Sequence, residues 1–203
     1  MLANTSVWLE HFRNWDSDRP ICVHAEGDAL AAVLYIQSIT SKKLHVCHVS
    51  TRSDIELIKI AKARVGGNLI TCEAAPHHLF GVGAQTDTFR SVKPPLGNND
   101  DMKALWENMG IIDCFATDHA PHTSEEKCCH RCPGFPGLET ALPLLLTAVH
   151  DGRLTLDDIV LRYHTNPKRI FGLPDQPDTY VDIDPDFEWV IPERPRFRFS
   201  VSL

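Results

Sequence analysis

Apolar residues along this chain come in short dense runs, each followed by a longer stretch with apolar positions at helical spacing. ICVHAE at 21–26 is a β-rich run, and GDALAAVLYIQSI after it places its apolar residues at helical intervals, which predicts strand then helix. LHVCHVS at 44–50 repeats the strand. The segment after it pairs Ser53 with Glu56 as in a capping box, puts Ile55, Ile58 and Ala61 on one face, and is expected to stop at Gly66-Gly67. NLITCEAAPHH at 68–78 reads as a third strand ending at Pro76, NDDMKALWENM at 99–109 as a short helix with an acidic start, and IIDCFATDHAPH at 111–122 as a fourth strand. Two further helices are expected: LETALPLLLTAVHDG, with Pro143 in its first turns, and TLDDIVLRYHTN, opened by Thr155 and closed before Pro167.

Strands that are apolar along their length and alternate with helices indicate a parallel α/β sheet covered on both faces, either doubly wound or barrel-like. Periodicity does not choose between the two, but the strand endings do. His24, His48, Glu73 and Asp118 each stand at or just past the C-terminal end of a strand, and side chains converging there are the active-site layout of a (β/α)8 barrel. Beyond residue 174 helix signals fade, with prolines at 174, 177, 185, 192 and 195, and the closing ERPRFRFSVSL alternates basic and apolar residues as an edge strand or a frayed end would.

Composition narrows the class. With 203 residues, 43% hydrophobic and 23% charged, the chain has enough material for one domain with a sizeable core. A net charge of -7 leaves no basic stripe for nucleic acid. No apolar run reaches the roughly 18 residues that a membrane span needs, and the N-terminus lacks a signal-peptide layout, so a cytoplasmic protein is expected. Seven cysteines, an odd number, suit free thiols in a reducing compartment.

Taken singly, each strand-end residue has an ordinary explanation. A lone His is usually a hydrogen-bonded core residue, and a carboxylate after a strand is usually a cap or an ion-pair partner. Together, two imidazoles and two carboxylates at one end of a parallel sheet suit zinc. CCHRC at 128–132 lacks the second ligand pair of a structural zinc site and reads as an ordinary loop. Cys22, Cys47 and Cys72 read as small buried strand residues, with Cys47 alternatively facing the site. His77 and His78 read either as donors that orient ligands or as loop polar groups.

The stretch ATDHAPHTSEEK at 116–127 carries a specific pattern: Ala or Gly, Ser or Thr, Asp, any residue, Ala-Pro-His, four residues, Lys. It resembles the signature of the dihydroorotase domains of animal multifunctional pyrimidine-biosynthesis proteins, members of the amidohydrolase superfamily. ICVHAE, HVCHVS, TCEAAPHH, PPLG, ALWENM, PGFPGLET and NPKRIFGLP extend the likeness over residues 7–192, leaving 193–203 as an unassigned tail. The resemblance implies the second half, about four βα units, of a TIM-like (β/α)8 barrel. It implies that His24 and His48 bind the more buried of two zinc ions, that Asp118 binds the other and acts in catalysis, and that Glu73 and Cys47 match an extra metal position, for two or three ions in all. Lys93, His122 and Pro133 match substrate-contacting positions. The implied reaction is the reversible cyclisation of N-carbamoyl-L-aspartate to L-dihydroorotate in pyrimidine synthesis.

The chain departs from that pattern at two points. Lys93 stands where relatives usually carry Arg and cannot make an arginine's bidentate contact. The family's early His-x-His pair, a following Arg, a substrate-binding Asn and the carboxylated bridging lysine have no counterpart here. The chain is therefore expected to be a C-terminal-half fragment without turnover of its own, whose partner is the missing N-terminal half. Fused synthetase and transcarbamoylase domains and a homo-oligomer are expected in the parent. The alternatives are another cyclic amidase, of the allantoinase or hydantoinase kind, and a non-catalytic assembly domain.

Overall fold

In the computed structural model, which describes residues 4–66, 69–83 and 88–184, four short strands lie side by side and parallel. They are β1 (Ile21–Val23), β2 (Leu44–Val46), β3 (Ile70–Ala74) and β4 (Cys114–Phe115). Ile21 pairs with Leu44, Leu44 with Ile70, and Glu73 with Cys114. Their order in the sheet is the order in sequence. A doubly wound sheet reverses direction at a switch point, whereas a barrel adds each strand beside the last. This sheet is an arc of the barrel kind.

α1 (Thr5–Asn14) precedes β1; between the strands run α2 (Gly27–Thr40), α3 (Arg52–Val65), α4 (Pro76–Phe80) and α5 (Asn99–Glu107); α6 (Ser124–His130), α7 (Ala141–His150), α8 (Leu156–Val160) and α9 (Asn166–Phe171) follow β4. α1 touches α2, α2 touches α3 and α3 touches α5, so these helices form one continuous layer. Leu44, Val46, Ile70, Cys72 and Ala74 are buried with Leu30, Val33, Ile55 and Ile58 in a single core. Successive side chains of a strand point to opposite faces, so the intervening Cys22, His45, Thr71 and Glu73 occupy the other face. There the His45 ring packs edge-on against Phe171, at the end of α9, with centroids 5.2 Å apart. The expectation of wholly apolar strands covered alike on both faces is thus corrected: the helix side is apolar, and the concave side carries thiols, imidazole, hydroxyl and carboxylate.

Several local expectations also shift. The strands end earlier than expected, at Val23, Val46, Ala74 and Phe115. Thr51, not Ser53, caps α3, its hydroxyl accepting from the Asp54 N–H at 3.2 Å. The helix does end at Gly66. CCHRC is not a loop: Cys128, Cys129 and His130 close α6, whose start is a capping box between Thr123 and Glu126. The last helix does not close before Pro167. A wider π-type turn over Leu161–Thr165 precedes it, so Pro167 stands in the opening turn of α9, where a missing N–H costs little. The N-terminal helix α1 had no clear signal in the pattern, yet it buries Phe12 against the core. All seven cysteines are free; Cys72 is buried, whereas Cys22, on the edge strand, is exposed and Cys47 half-buried. The segment ERPRFRFSVSL and the boundary at 192 lie outside the described residues.

Candidate metal and catalytic rim

The loops that leave the C-terminal ends of the strands carry the donors. His24 follows β1 directly, His48 lies two residues past β2, and Asp118 lies three past β4. His24 Nδ1 and His48 Nε2 are 2.9 Å apart, with ring centroids at 4.5 Å. His48 and Asp118 both adopt left-handed backbone, φ +35° and +47°. That region is disfavoured for residues with a Cβ, and such strain collects where a side chain must be aimed for function. Among the described residues, the other two non-glycine residues with positive φ, Ser41 and Arg131, are helix C-caps, where the conformation is routine.

Burial sets the charge here. It pushes the His48 pKa below the usual imidazole range, a shift opposed by the nearby Asp118 carboxylate and reinforced by His24. Burial also raises the Asp118 carboxyl, against the opposing pull of His48. His48 Nδ1 is buried with no hydrogen-bond partner. Two ring nitrogens facing each other beside a carboxylate are a donor set that a cation would relieve.

Not every expected site residue joins this group directly. The Glu73 carboxylate meets His45 Nε2 at 3.0 Å, and His45 Nδ1 meets the Thr71 hydroxyl at 2.8 Å, so β2 and β3 are tied across the concave face. The Cys47 thiol interacts with Cys22 electrostatically, which lowers the Cys22 thiol and, with burial, pushes Cys47 up. His122 Nε2 lies 3.0 Å from the Pro133 carbonyl, so two expected substrate contacts hold each other. Lys93 is exposed, and a cis bond joins it to Pro94. His119 accepts the Leu138 N–H at 3.2 Å, a structural role. Among the described residues, no three His, Cys, Asp or Glu side chains stand where they could jointly hold one ion.

The pattern understated other residues. His77, in the first turn of α4, brings Nε2 to 3.6 Å from Asp118 Oδ2. This is no ion pair, because burial, helped by His78 and His48, pushes the His77 pKa down to about 2 and leaves the ring neutral. His78 Nε2 bonds the Pro94 carbonyl at 3.0 Å. The repeated His-His after Pro76 was the available signal, but sequence alone does not separate it from loop polarity. Lys127, which closes the signature, is buried with its ammonium on the Ser91 and Gly134 carbonyls at 2.8 and 2.5 Å. It therefore ties the segment that bears Pro133 to the segment before Lys93. A cleft lined by His77, Arg90, Thr117, Phe135 and Thr140 opens beside Asp118.

No protein-family model matches the chain. It is 48% identical over 204 residues to the multifunctional protein CAD of Squalus acanthias, covering 98% of this chain and 9% of that protein. It is 37% identical over 175 residues to the dihydroorotase of Pyrococcus furiosus, covering 82% of this chain and 41% of that enzyme. The solved inactive dihydroorotase-like domain of a Chaetomium thermophilum CAD-like multifunctional protein matches with a TM-score of 0.70 at 34% identity, over 87% of this chain and 50% of that one. The chain thus spans less than half the length of that single-function enzyme, half of the solved domain and a small part of the multifunctional protein. In sequence along most of its length and in the ordered parallel arc of its strands, the chain is similar to the dihydroorotases of the amidohydrolase barrels.

Proposed function

We propose that this chain supplies the C-terminal half of the active site of a zinc-dependent dihydroorotase, which interconverts N-carbamoyl-L-aspartate and L-dihydroorotate. The observation that carries the reading is the meeting of His24 and His48 with Asp118 beside them, two of the three held in left-handed backbone. The donor chemistry fits zinc. Nitrogen ligands at ~2.0–2.1 Å in a tetrahedral site lie roughly 3.3 Å from each other, and the two imidazoles need only a small opening from 2.9 Å to reach that spacing. His24 and His48 would hold one metal ion and Asp118 a second, with Cys47 and Glu73 as donors to an additional ion. The early His-x-His and the carboxylated lysine would come from the other half of the barrel.

Bound zinc supplies Lewis acidity and brings the pKa of water toward neutrality. In the hydrolytic direction Asp118 takes a proton at a carboxylate oxygen from the water whose oxygen adds to the ring amide carbonyl carbon, and returns it to the ring nitrogen as the C–N bond breaks. A carboxyl raised by burial is a stronger base than an exposed one, which suits this task. His122 and Pro133 orient the substrate, and Lys93 holds its carboxylate through a single ammonium, a looser grip than an arginine fork. A parent with fused synthetase and transcarbamoylase domains, assembled as a cytoplasmic homo-oligomer, accords with the likeness to a multifunctional protein.

The test is a chimera in which residues 7–184 replace the matching half of a working dihydroorotase. Turnover of dihydroorotate is expected, and Asp118→Asn should lower it by about 10²- to 10⁴-fold. The 203-residue chain alone should show no turnover. A folded but inactive chimera would favour the second reading, a non-catalytic assembly domain, which the likeness to a domain described as inactive keeps in view.

A further inference from the structure

The geometry points to His77 as a positioning residue for Asp118, one that donates its Nε2–H to Oδ2 and leaves the other carboxylate oxygen to act. The inference rests on Asp118 as ligand and base. His77 Nε2 is buried and has no hydrogen-bond partner, yet Asp118 Oδ2 lies 3.6 Å away. That distance is too long for a hydrogen bond, so the two atoms face each other across a gap that a small rotation of either side chain closes. Buried polar atoms are nearly always paired, and an orphan aimed at a carboxylate points to a bond made in the working state.

The ring is held in place independently of Asp118. It packs against His78, with centroids 4.3 Å apart, and against Phe135 at 5.1 Å. His78 in turn binds the Pro94 carbonyl, next to Lys93. Short helix α4 therefore joins the carboxylate at the rim to the segment that carries the expected substrate-binding lysine. Asp118, by contrast, sits in strained backbone, and its Oδ2 faces His77 at 3.6 Å. A rigid donor beside a ligand carboxylate is the arrangement by which outer partners orient a ligand, and losing such a partner typically weakens metal affinity by about 10- to 100-fold.

The competing explanation is that His77 merely fills space against Phe135. Long-range proton–nitrogen NMR of the full chain with labelled histidines separates the two. The expected result is an Nε2–H tautomer at His77 whose ring signals move in Asp118→Asn while the remaining spectrum stays folded. An Nδ1–H tautomer, or ring signals indifferent to Asp118→Asn, would overturn the inference. A cobalt(II) chloride titration followed by visible absorption adds a second arm. His77→Phe, which keeps the ring packing, should bind about tenfold or more weakly, and His77→Gln, which keeps a donor, should recover most of the loss. Equal affinities for the Phe and Gln variants would count against positioning. If the unsubstituted chain takes up no cobalt, binding requires the ligands of the other half of the barrel, and the tautomer measurement alone decides His77.

Discussion

On the helix side of the sheet, Leu44, Val46, Ile70, Cys72 and Ala74 are buried in one core with α2 and α3. On the concave side, Cys22 is exposed, His45 is fastened to Glu73 and Thr71, and the rim beyond carries orphaned nitrogens on His48 and His77. The same strands build both, since alternate residues face opposite ways. The difference shows a division of labour: the helix side contributes burial and stability, and the concave rim contributes donors that the stable side keeps in register. Orphaned polar atoms occur on both sides, since Gln37 Oε1 in α2 is also buried without a partner; those of the rim differ in standing beside other metal-capable groups.

Removing core volume should break the comparison most visibly. Ile58→Ala is expected to cost about 2–5 kcal/mol, read as a shift of the urea midpoint, whereas Cys22→Ala on the exposed edge should stay within about 0.5 kcal/mol. Equal losses would refute the division between the faces.

Acid tests the polar region next. Burial holds the His78 pKa at about 4, although an ordinary imidazole titrates near 6.5. The unfolded chain therefore binds a proton that the folded chain refuses, so the stability is present above pH 6.5 and falls as the pH drops toward 4. The loss should be on the order of 3 kcal/mol over that window. Urea denaturation at several pH values, with His78→Gln flattening the slope, checks it; a wild-type slope equal to that of the variant would remove His78 as the cause.

Smaller effects sharpen the boundary between the regions. Lys127→Met should cost about 1–3 kcal/mol, because the Gly134 carbonyl loses its ammonium donor and the Ser91 carbonyl keeps only the Gly134 N–H, and amide exchange near 133–135 should rise. Unchanged exchange there would deny Lys127 its tethering role. Thr51→Ala should cost about 1 kcal/mol as a lost cap. Ser53→Ala should cost less, and the reverse ranking would restore the capping box read from Ser53 and Glu56.

Much of this arrangement was legible along the chain. Helix α2, the stop of α3 at Gly66 and the places of the four strands follow from the spacing of apolar residues and from glycine, both local properties. His24, His48 and Asp118 stood out because each ends an apolar run with a metal-capable group. The cap at Thr51 was missed because two hydroxyls stand two residues apart and either could serve. The helical end of CCHRC was missed because its start is set by Thr123 and Glu126, several residues upstream. Pro167 misled because a wider turn before it re-phased the helix.

The sequence by itself determined the order of elements and the donor chemistry, since periodicity, capping and ligand type belong to neighbouring residues. Only the tertiary structure decided that the strands lie in sequential order, that His45 rather than a rim residue holds Glu73, that His24 meets His48, and that His77 faces Asp118. These pairs lie tens of residues apart along the chain. Their distances depend on strand register and on the packing of helices behind the sheet, which no local pattern encodes.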